Sequence, residues 1–231
     1  MKKAGWLTAI LLLLGTIVFA QNDTDWHSKV YSVDEFSKIN LEGGFRVLLI
    51  QGDKSEVVVK APNNDVFDYI QVKEWGDELI IDIEPDHLKL DRIALYITFQ
   101  DLGKLHIEGG VRLRTNGFLD LKDFEMYVAG GAKIDLEMKA EDVRVVGEGG
   151  VLFDLEGVAE SLDVRLSGAG HVDADDLKVK DASFHIEGVG TGSVHATETL
   201  YAKIEGVGKV WYTGNPKVTK DIEGLGAVSA N

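Results

Sequence analysis

One short pattern decides the fold of this chain: it reads IEGGVRL at residues 107–113, VAGGAKI at 128–134, VVGEGGV at 145–151 and LSGAGHV at 166–172. It continues as IEGVG at 186–190, IEGVGKV at 204–210 and IEGLGAV at 222–228, and an isolated copy, LEGGFRV, lies at 41–47. From residue 107 onward, successive copies begin 21, 17, 21, 20, 18 and 18 residues apart. A period of about 19 residues is typical of a repeat protein.

A glycine occupies the third position of every copy: Gly43, Gly109, Gly130, Gly147, Gly168, Gly188, Gly206 and Gly224. We predict that these glycines have a backbone role, either a positive φ or an approach of neighbouring chain too close for a Cβ atom. Aliphatic residues lie two positions before the glycine and four positions after it, although the copy at 186 needs a two-residue insertion to place Val194 there. Apolar residues at even spacing around a glycine predict two short strands that each turn one face inward.

A unit of two or three short strands cannot bury its own apolar face. When such units stack with paired strands about 4.8 Å apart, equivalent aliphatic residues form an internal ladder. A leucine-rich repeat is excluded because its leucine-asparagine signature and its helix-period segments are missing. The pattern therefore predicts an all-β fold, a β-solenoid of about 19 residues per coil, with regular repeats over residues 107–231.

Residues 1–20 have the pattern of a secretory signal peptide that is cleaved after Ala20, with two lysines, a short apolar run and Val18-Phe19-Ala20 at its end. No other segment is predicted to cross a membrane. Residues 21–32 are predicted to be a flexible N-terminal segment. Residues 33–106 carry longer strands, which we predict to be opening coils or a cap on the same domain, so that 33–231 form a single unit.

The chain is strongly acidic, with 39 Asp and Glu against 24 Lys and Arg and a formal net charge of −15. Such a charge argues against nucleic acids and anionic membrane surfaces as partners. The chain contains no cysteine. Disulfides, thiolate metal sites and attachment of a lipid to an N-terminal cysteine are therefore excluded.

Three features resemble one known family: the opening FSKINLEGGFRVLLIQGD at Phe36–Asp53, a serial S-G-x-G motif, and YTGNP at Tyr212–Pro216. Their order resembles the "putative auto-transporter adhesin, head GIN domain" family over Val33–Asn231. The resemblance implies an exported protein of a Bacteroidetes-type bacterium, a right-handed parallel β-helix of the pectate-lyase-like kind, and a role as an adhesin. The usual serine of the motif remains at Ser167 and is replaced by glutamate in five copies: Glu42, Glu108, Glu187, Glu205 and Glu223.

The first enzyme to consider on a β-helix is a polysaccharide lyase or hydrolase, which needs clustered carboxylates beside a histidine and a basic residue. The nearest candidates are Asp173, Asp175 and Asp176, with His171 and Arg165. Because adjacent residues of a strand point to opposite faces, at most one of Asp175 and Asp176 joins Asp173. Exposed acids at a turn explain the cluster without catalysis, and we predict no catalytic residue.

The six histidines show no metal-ligand spacing and are predicted to be surface or strand residues: His27, His87, His106, His171, His185 and His195. A sharper feature is that Glu187, Glu205 and Glu223 hold equivalent places in three consecutive coils. In-register stacking would put like charges opposite each other, which is destabilising unless something offsets it. Solvation, the nearby Lys203, Lys209 and Lys220, or a bound calcium ion would do so.

We therefore predict an exported, non-enzymatic β-helix module that binds an unidentified surface glycan or protein and uses no cofactor. The alternatives are a carbohydrate-active enzyme acting through His171, Asp173 and Arg165, and a periplasmic structural protein. Export would end in the periplasm or at the cell surface. The open C-terminal coil also predicts self-association end to end.

Overall fold

The computed structural model describes residues 26–83 and 93–231, so the predicted signal peptide lies outside the described residues. Almost all of the described chain is strand. The elements are β1 His27–Ser32, β2 Lys38–Gln51, β3 Glu56–Ala61, α1 Val66–Tyr69, β4 Ile70–Trp75, β5 Glu78–Ile83, β6 Ala94–Phe99, β7 Lys104–Thr115, β8 Leu119–Asp120, β9 Phe124–Lys139, β10 Asp142–Val158, β11 Ser161–Gly214 and β12 Lys217–Ala230.

Strands β2, β7, β9, β10, β11 and β12 stack in this order, and each pairs with the next in parallel. Each long strand continues through the glycine of its repeat, and β11 alone spans almost three periods. The result is a β-solenoid of about seven turns with a spacing of about 19 residues, which confirms the fold class predicted from the repeats.

The repeat glycines lie directly above one another and have positive φ values, for example +128° at Gly109 and +122° at Gly130. The backbone conformation at these positions is one that residues with a side chain rarely adopt. A Cβ atom on Gly109 would collide with the carbonyl oxygen of Gly43 in the coil below. The close approach of successive coils therefore requires glycine here.

The predicted place of Gly147 in this ladder is wrong. Gly149, with φ +97°, pairs in register with Gly130 and Gly168, whereas Gly147 pairs with the aliphatic Val128. Two glycines of the local sequence GEGG compete for the position, and stacking selects the second one. Gly147 has no room for a side chain, because a Cβ atom there would lie 2.9 Å from Cε2 of the buried Phe153.

The insertion predicted near residue 191 is also absent. Thr191 and Ser193 hydrogen-bond His171 and Asp173 of the preceding coil, so Gly192 takes the place between them, beside Val172. The ring of Phe184 fills the space that a side chain on Gly192 would need. Val194 therefore does not take the place four positions after the repeat glycine, as predicted, but lies two positions beyond it.

The first coil is flanked by strands that also form antiparallel pairs. The first half of β2 pairs in parallel with β5, which forms a hairpin with β4, and its second half pairs in parallel with β6. Strand β6 continues the sheet through antiparallel pairing with β3, and β3 pairs with β1. Strands β2 and β3 follow each other in the chain on either side of residues 51–54, but β6 separates them in the sheet.

One continuous apolar core runs from Phe36 to Val210 inside the coils. Its largest fully buried side chains include Phe99, Phe124, Phe153 and Phe184. In the described ranges, no helix is both long and apolar enough to cross a membrane. Every second residue of each strand faces outward, and equivalent residues of successive coils form rows on the surface. The candidate sites lie in these rows.

Candidate functional site

A cavity of about 460 Å³ opens on the outer face of the first coils, across β6, β2, β7 and β9. Its charged lining consists of Arg46, Lys60, Arg112, Arg114, Lys133 and Asp135, and Trp26 and Tyr96 also contribute. We call this feature the basic groove. Five cationic side chains and one carboxylate meet there on a chain whose acidic residues far outnumber its basic ones.

The repeat itself places three of these cations. Arg46, Arg112 and Lys133 each lie three residues after a ladder glycine, and they pair in register on β2, β7 and β9. The strand alternation turns them outward while Val47 and Leu113 turn into the core. This ladder was not predicted from the sequence, although a basic residue recurs there at one fixed position of the repeat.

The cations of the basic groove differ in how they are neutralised. Lys133 Nζ lies 3.0 Å from Asp135 Oδ1, and Lys60 Nζ lies 4.6 Å from the centre of the Tyr96 ring. In the part of the chain that the structure describes, no carboxylate lies within ion-pairing distance of Arg46 or Arg112. Two guanidinium groups on paired strands repel each other, and an anion between them would remove that repulsion.

An acidic ladder begins where the basic groove ends. Asp135, Asp154 and Asp173 pair in register on β9, β10 and β11, and Glu137 pairs with Glu156 beside them. Burial raises the pKa of Asp154, and the neighbouring carboxylates of Asp135 and Asp173 raise this pKa further. Burial likewise raises the pKa of Glu156, with Asp154 the next cause. The acidic ladder is therefore a strip of mutual repulsion.

The candidates for polysaccharide chemistry each have a different partner. His171 Nδ1 lies 2.7 Å from the Thr191 hydroxyl, and Asp173 Oδ1 accepts a hydrogen bond of 2.9 Å from Ser193. Arg165 Nε lies 3.4 Å from Asp163 Oδ2, on its own strand. His171 and Asp173 share one side of β11, but none of these contacts joins Arg165 to them.

The remaining acids of that cluster, Asp175 and Asp176, lie where the register between β10 and β11 shifts. The backbone N–H of Asp175 donates to Asp173 Oδ1, and Asp176 is exposed. Burial raises the pKa of Asp175, and the carboxylate of Asp173 is the next cause. The Asp175 carboxyl therefore belongs with the acidic ladder and lies close to Asp173.

The predicted glutamate ladder also contacts His185, for which the sequence predicted only a surface or strand position. Glu205 pairs in register with Glu223, and His185 Nε2 lies 2.6 Å from Glu205 Oε2 and 3.3 Å from Glu187 Oε1. Lys203 Nζ lies 3.0 Å from the other oxygen of Glu205. Hydrogen bonds from His185 and then from Lys203 lower the pKa of Glu205.

Of the three lysines expected to offset this ladder, only Lys203 contacts it in the described structure. Lys209 lies over the ring of Trp211, with Nζ 4.5 Å from the ring centre. Lys220 pairs in register with Ala202. The signal for His185 was the tetrapeptide HIEG, in which the histidine and the glutamate share one face of a strand.

Solved structures of three bacterial proteins have a similar fold. A protein described as a "putative adhesin" from Bacteroides fragilis matches with a TM-score of 0.82 and 21% identity, over 89% of this chain and 97% of that chain. A "putative lipid binding protein" from Parabacteroides distasonis matches with a TM-score of 0.67 and 18% identity, over 90% and 98% of the two chains. A "putative adhesin" from Parabacteroides merdae matches with a TM-score of 0.64 and 17% identity, over 90% and 97%.

At these identities the solved structures show the fold alone. No curated protein matches the sequence. The family model described as "Putative auto-transporter adhesin, head GIN domain" matches residues 35–216, which is most of the chain. The chain therefore belongs to the "putative auto-transporter adhesin, head GIN domain" family, as its repeat motif and opening segment predicted.

Proposed function

We propose that this protein is an exported, non-enzymatic binding module of the adhesin type, and that it binds an anionic group of a surface glycan in the basic groove. The observation that carries the proposal is the pair Arg46 and Arg112, stacked on neighbouring strands in a cavity of about 460 Å³ without a carboxylate partner among the described residues. Ligand cavities in proteins commonly measure about 300–1,000 Å³.

The chemistry of the pair suits a carboxylate or sulfate group. A guanidinium group presents a planar fork of donors that binds such oxyanions through two parallel hydrogen bonds. Both arginines lie on strands of the continuous sheet, so their backbones are fixed before a ligand arrives, which lowers the entropic cost of binding. The acidic surface elsewhere repels polyanions, so that only an anion reaching into the basic groove is attracted.

The phosphate of a lipid headgroup would offer similar oxygen acceptors, and one structural neighbour is described as lipid-binding. The lining of the basic groove favours a glycan. Its aliphatic side chains Val47, Leu95 and Leu113 are fully buried in the core, and Leu48 is only 8% exposed. The described residues thus provide no apolar channel in this groove for an acyl chain.

A binding screen tests the proposal with uronate-bearing glycans, sulfated glycans, neutral glycans and vesicles containing an anionic lipid. We expect binding to acidic glycans that weakens with salt and falls at least about tenfold in the double variant R46Q/R112Q. The charge-matched control R144Q/R165Q removes two arginines that lie near Asp163, outside the basic groove, and should bind normally.

Three results would contradict this proposal. Equal loss in both double variants would indicate a general charge effect, preference for vesicles would favour a lipid, and binding of neutral glycans alone would place the ligand elsewhere. Export is tested separately by protease treatment of intact and lysed cells. Cleavage on intact cells supports an adhesin at the surface, whereas protection until lysis contradicts it and favours a periplasmic role.

A further inference from the structure

His185, Glu187 and Glu205 meet at one point of the outer face, on two consecutive coils far along the chain from the basic groove. We propose that these three residues form a binding site for a divalent transition metal ion of the zinc type. The ligands are His185 Nε2 and one oxygen of each carboxylate. These three atoms lie within 4.8 Å of one another.

The geometry needs little adjustment to hold an ion. His185 and Glu187 are two apart in one strand and share its outer side, and the next coil brings Glu205 beside them. In a tetrahedral zinc site with bonds of about 2.0–2.2 Å, neighbouring ligand atoms are roughly 3.4 Å apart. The observed separations from His185 Nε2 are 2.6 Å to Glu205 and 3.3 Å to Glu187, so small rotations of half-exposed side chains suffice.

The donor set selects among metals. One imidazole nitrogen with two carboxylates suits zinc and its neighbours, whereas calcium prefers six to eight oxygen ligands. The calcium ion predicted for Glu187, Glu205 and Glu223 is therefore less suitable than zinc. Glu223, although in register with Glu205, lies outside the three-residue cluster. The fourth position of the ion would be left to water or to a group of a partner.

The chain contains its own comparison site. The tetrapeptide HIEG occurs at 106–109 as well as at 185–188, and His106 Nε2 lies 2.9 Å from Glu108 Oε1. On the next coil, however, Glu108 pairs in register with Ala129, and the His106 ring stacks on Tyr127 with centroids 4.7 Å apart. On the preceding coil Glu42 pairs in register with Glu108 but accepts a hydrogen bond from Asn40, and among the described residues only the second HIEG pair gains a third ligand, Glu205.

A lysine tunes the proposed site. Lys203 Nζ lies 3.0 Å from Glu205 Oε1, the oxygen that does not face His185. Its positive charge competes with a metal ion for the same carboxylate. Removing this charge by Lys203→Gln is therefore expected to strengthen metal binding, which is opposite to the effect of removing a ligand.

Calorimetric titration of the tag-free protein with zinc chloride tests the proposal, and cobalt absorption reports the ligand geometry. We expect one zinc ion per chain, at least about tenfold weaker binding in His185→Gln and Glu205→Gln, unchanged binding in His106→Gln, and tighter binding in Lys203→Gln. Calcium should give no heat at the same concentration. Absence of zinc binding in the native protein, or equal affinity in His185→Gln, would overturn the proposal. Because the variants leave the basic groove intact, neither outcome bears on glycan binding.

Discussion

Gly109 and Gly110 are adjacent in the chain, yet they differ in the space available for a side chain. Gly109 has φ +128°, and a Cβ atom there would enter the carbonyl oxygen of Gly43, whereas a Cβ atom on Gly110 would have no atom within 4 Å. A single residue step thus separates a position that excludes every side chain from one that accepts them. The difference arises because only the first glycine lies in the ladder where successive coils touch.

We expect Gly109→Ala to destabilise the protein by about 2 kcal/mol or more, since it combines backbone strain with a steric clash. Gly110→Ala should change the free energy of unfolding by less than about 0.5 kcal/mol. Urea unfolding of both variants, followed by circular dichroism, makes the comparison. Equal effects at the two positions would show that the contact between Gly43 and Gly109 does not limit the side chain.

The residues that the sequence could predict are those with a local signature. Glycines, inward aliphatics and the family motif repeat visibly, and seven of the eight predicted glycines have positive φ in the structure. Gly147 was misplaced because the segment GEGG offers two local solutions, and only pairing with Gly130 and Gly168 chooses Gly149. His185 and Arg46 were missed because their importance depends on residues one or more coils away in the sequence.

At the scale of whole strands, register converts a sequence repeat into ladders of charge. Position three after the ladder glycine is basic on β2, β7 and β9, while two positions further Asp135, Asp154 and Asp173 follow on β9, β10 and β11. The N-terminal pairing could not be derived in this way. Insertion of β6 between β2 and β3 joins segments distant in the chain, and no repeat marks them.

Asp154, the middle rung of the acidic ladder, is expected to oppose folding at neutral pH. Its pKa in the folded protein is raised above the ordinary value of 3.8, so the folded state binds the proton more tightly than the unfolded state. Stability therefore falls as the pH rises from 3.8 through the raised pKa. Asp154→Asn removes this loss and should stabilise the protein by about 0.2–1 kcal/mol at pH 7, in keeping with measured cross-strand pairs.

Urea midpoints at about pH 7 and about pH 2.5 test this prediction, because well below the ordinary pKa both states are protonated and the gain should disappear. Asp163→Asn is the control. Asp163 lies within 3.4 Å of Arg165 and 3.9 Å of Arg144, so its loss should not stabilise the protein. A gain in Asp154→Asn that persisted at the lower pH would exclude charge repulsion as its cause.

At the scale of the molecule, the two ends of the sheet differ in how they are covered. Strands β6, β3 and β1 extend the sheet beyond the first coil, whereas β12 pairs only with β11 in the described structure. No residue of β12 belongs to the buried core, although Val218 and Val228 pack against it, and Leu225 is 77% exposed. A long strand with an unpaired edge is a template for pairing with another chain.

We expect the protein to associate through β12 of two copies, because an antiparallel pair of these strands satisfies both open edges and closes the assembly as a dimer. Light scattering coupled to gel filtration should show mass rising with concentration. Ile222→Lys, which puts a charge on the half-buried face of β12, should give a monomer. Val30→Lys, on the exposed strand β1 at the other end of the sheet, should leave the dimer intact. If Val30→Lys also abolished association, the contact would join β1 of one copy to β12 of the next and would build filaments instead. A native protein that stayed monomeric at the highest soluble concentration would refute pairing at β12 altogether.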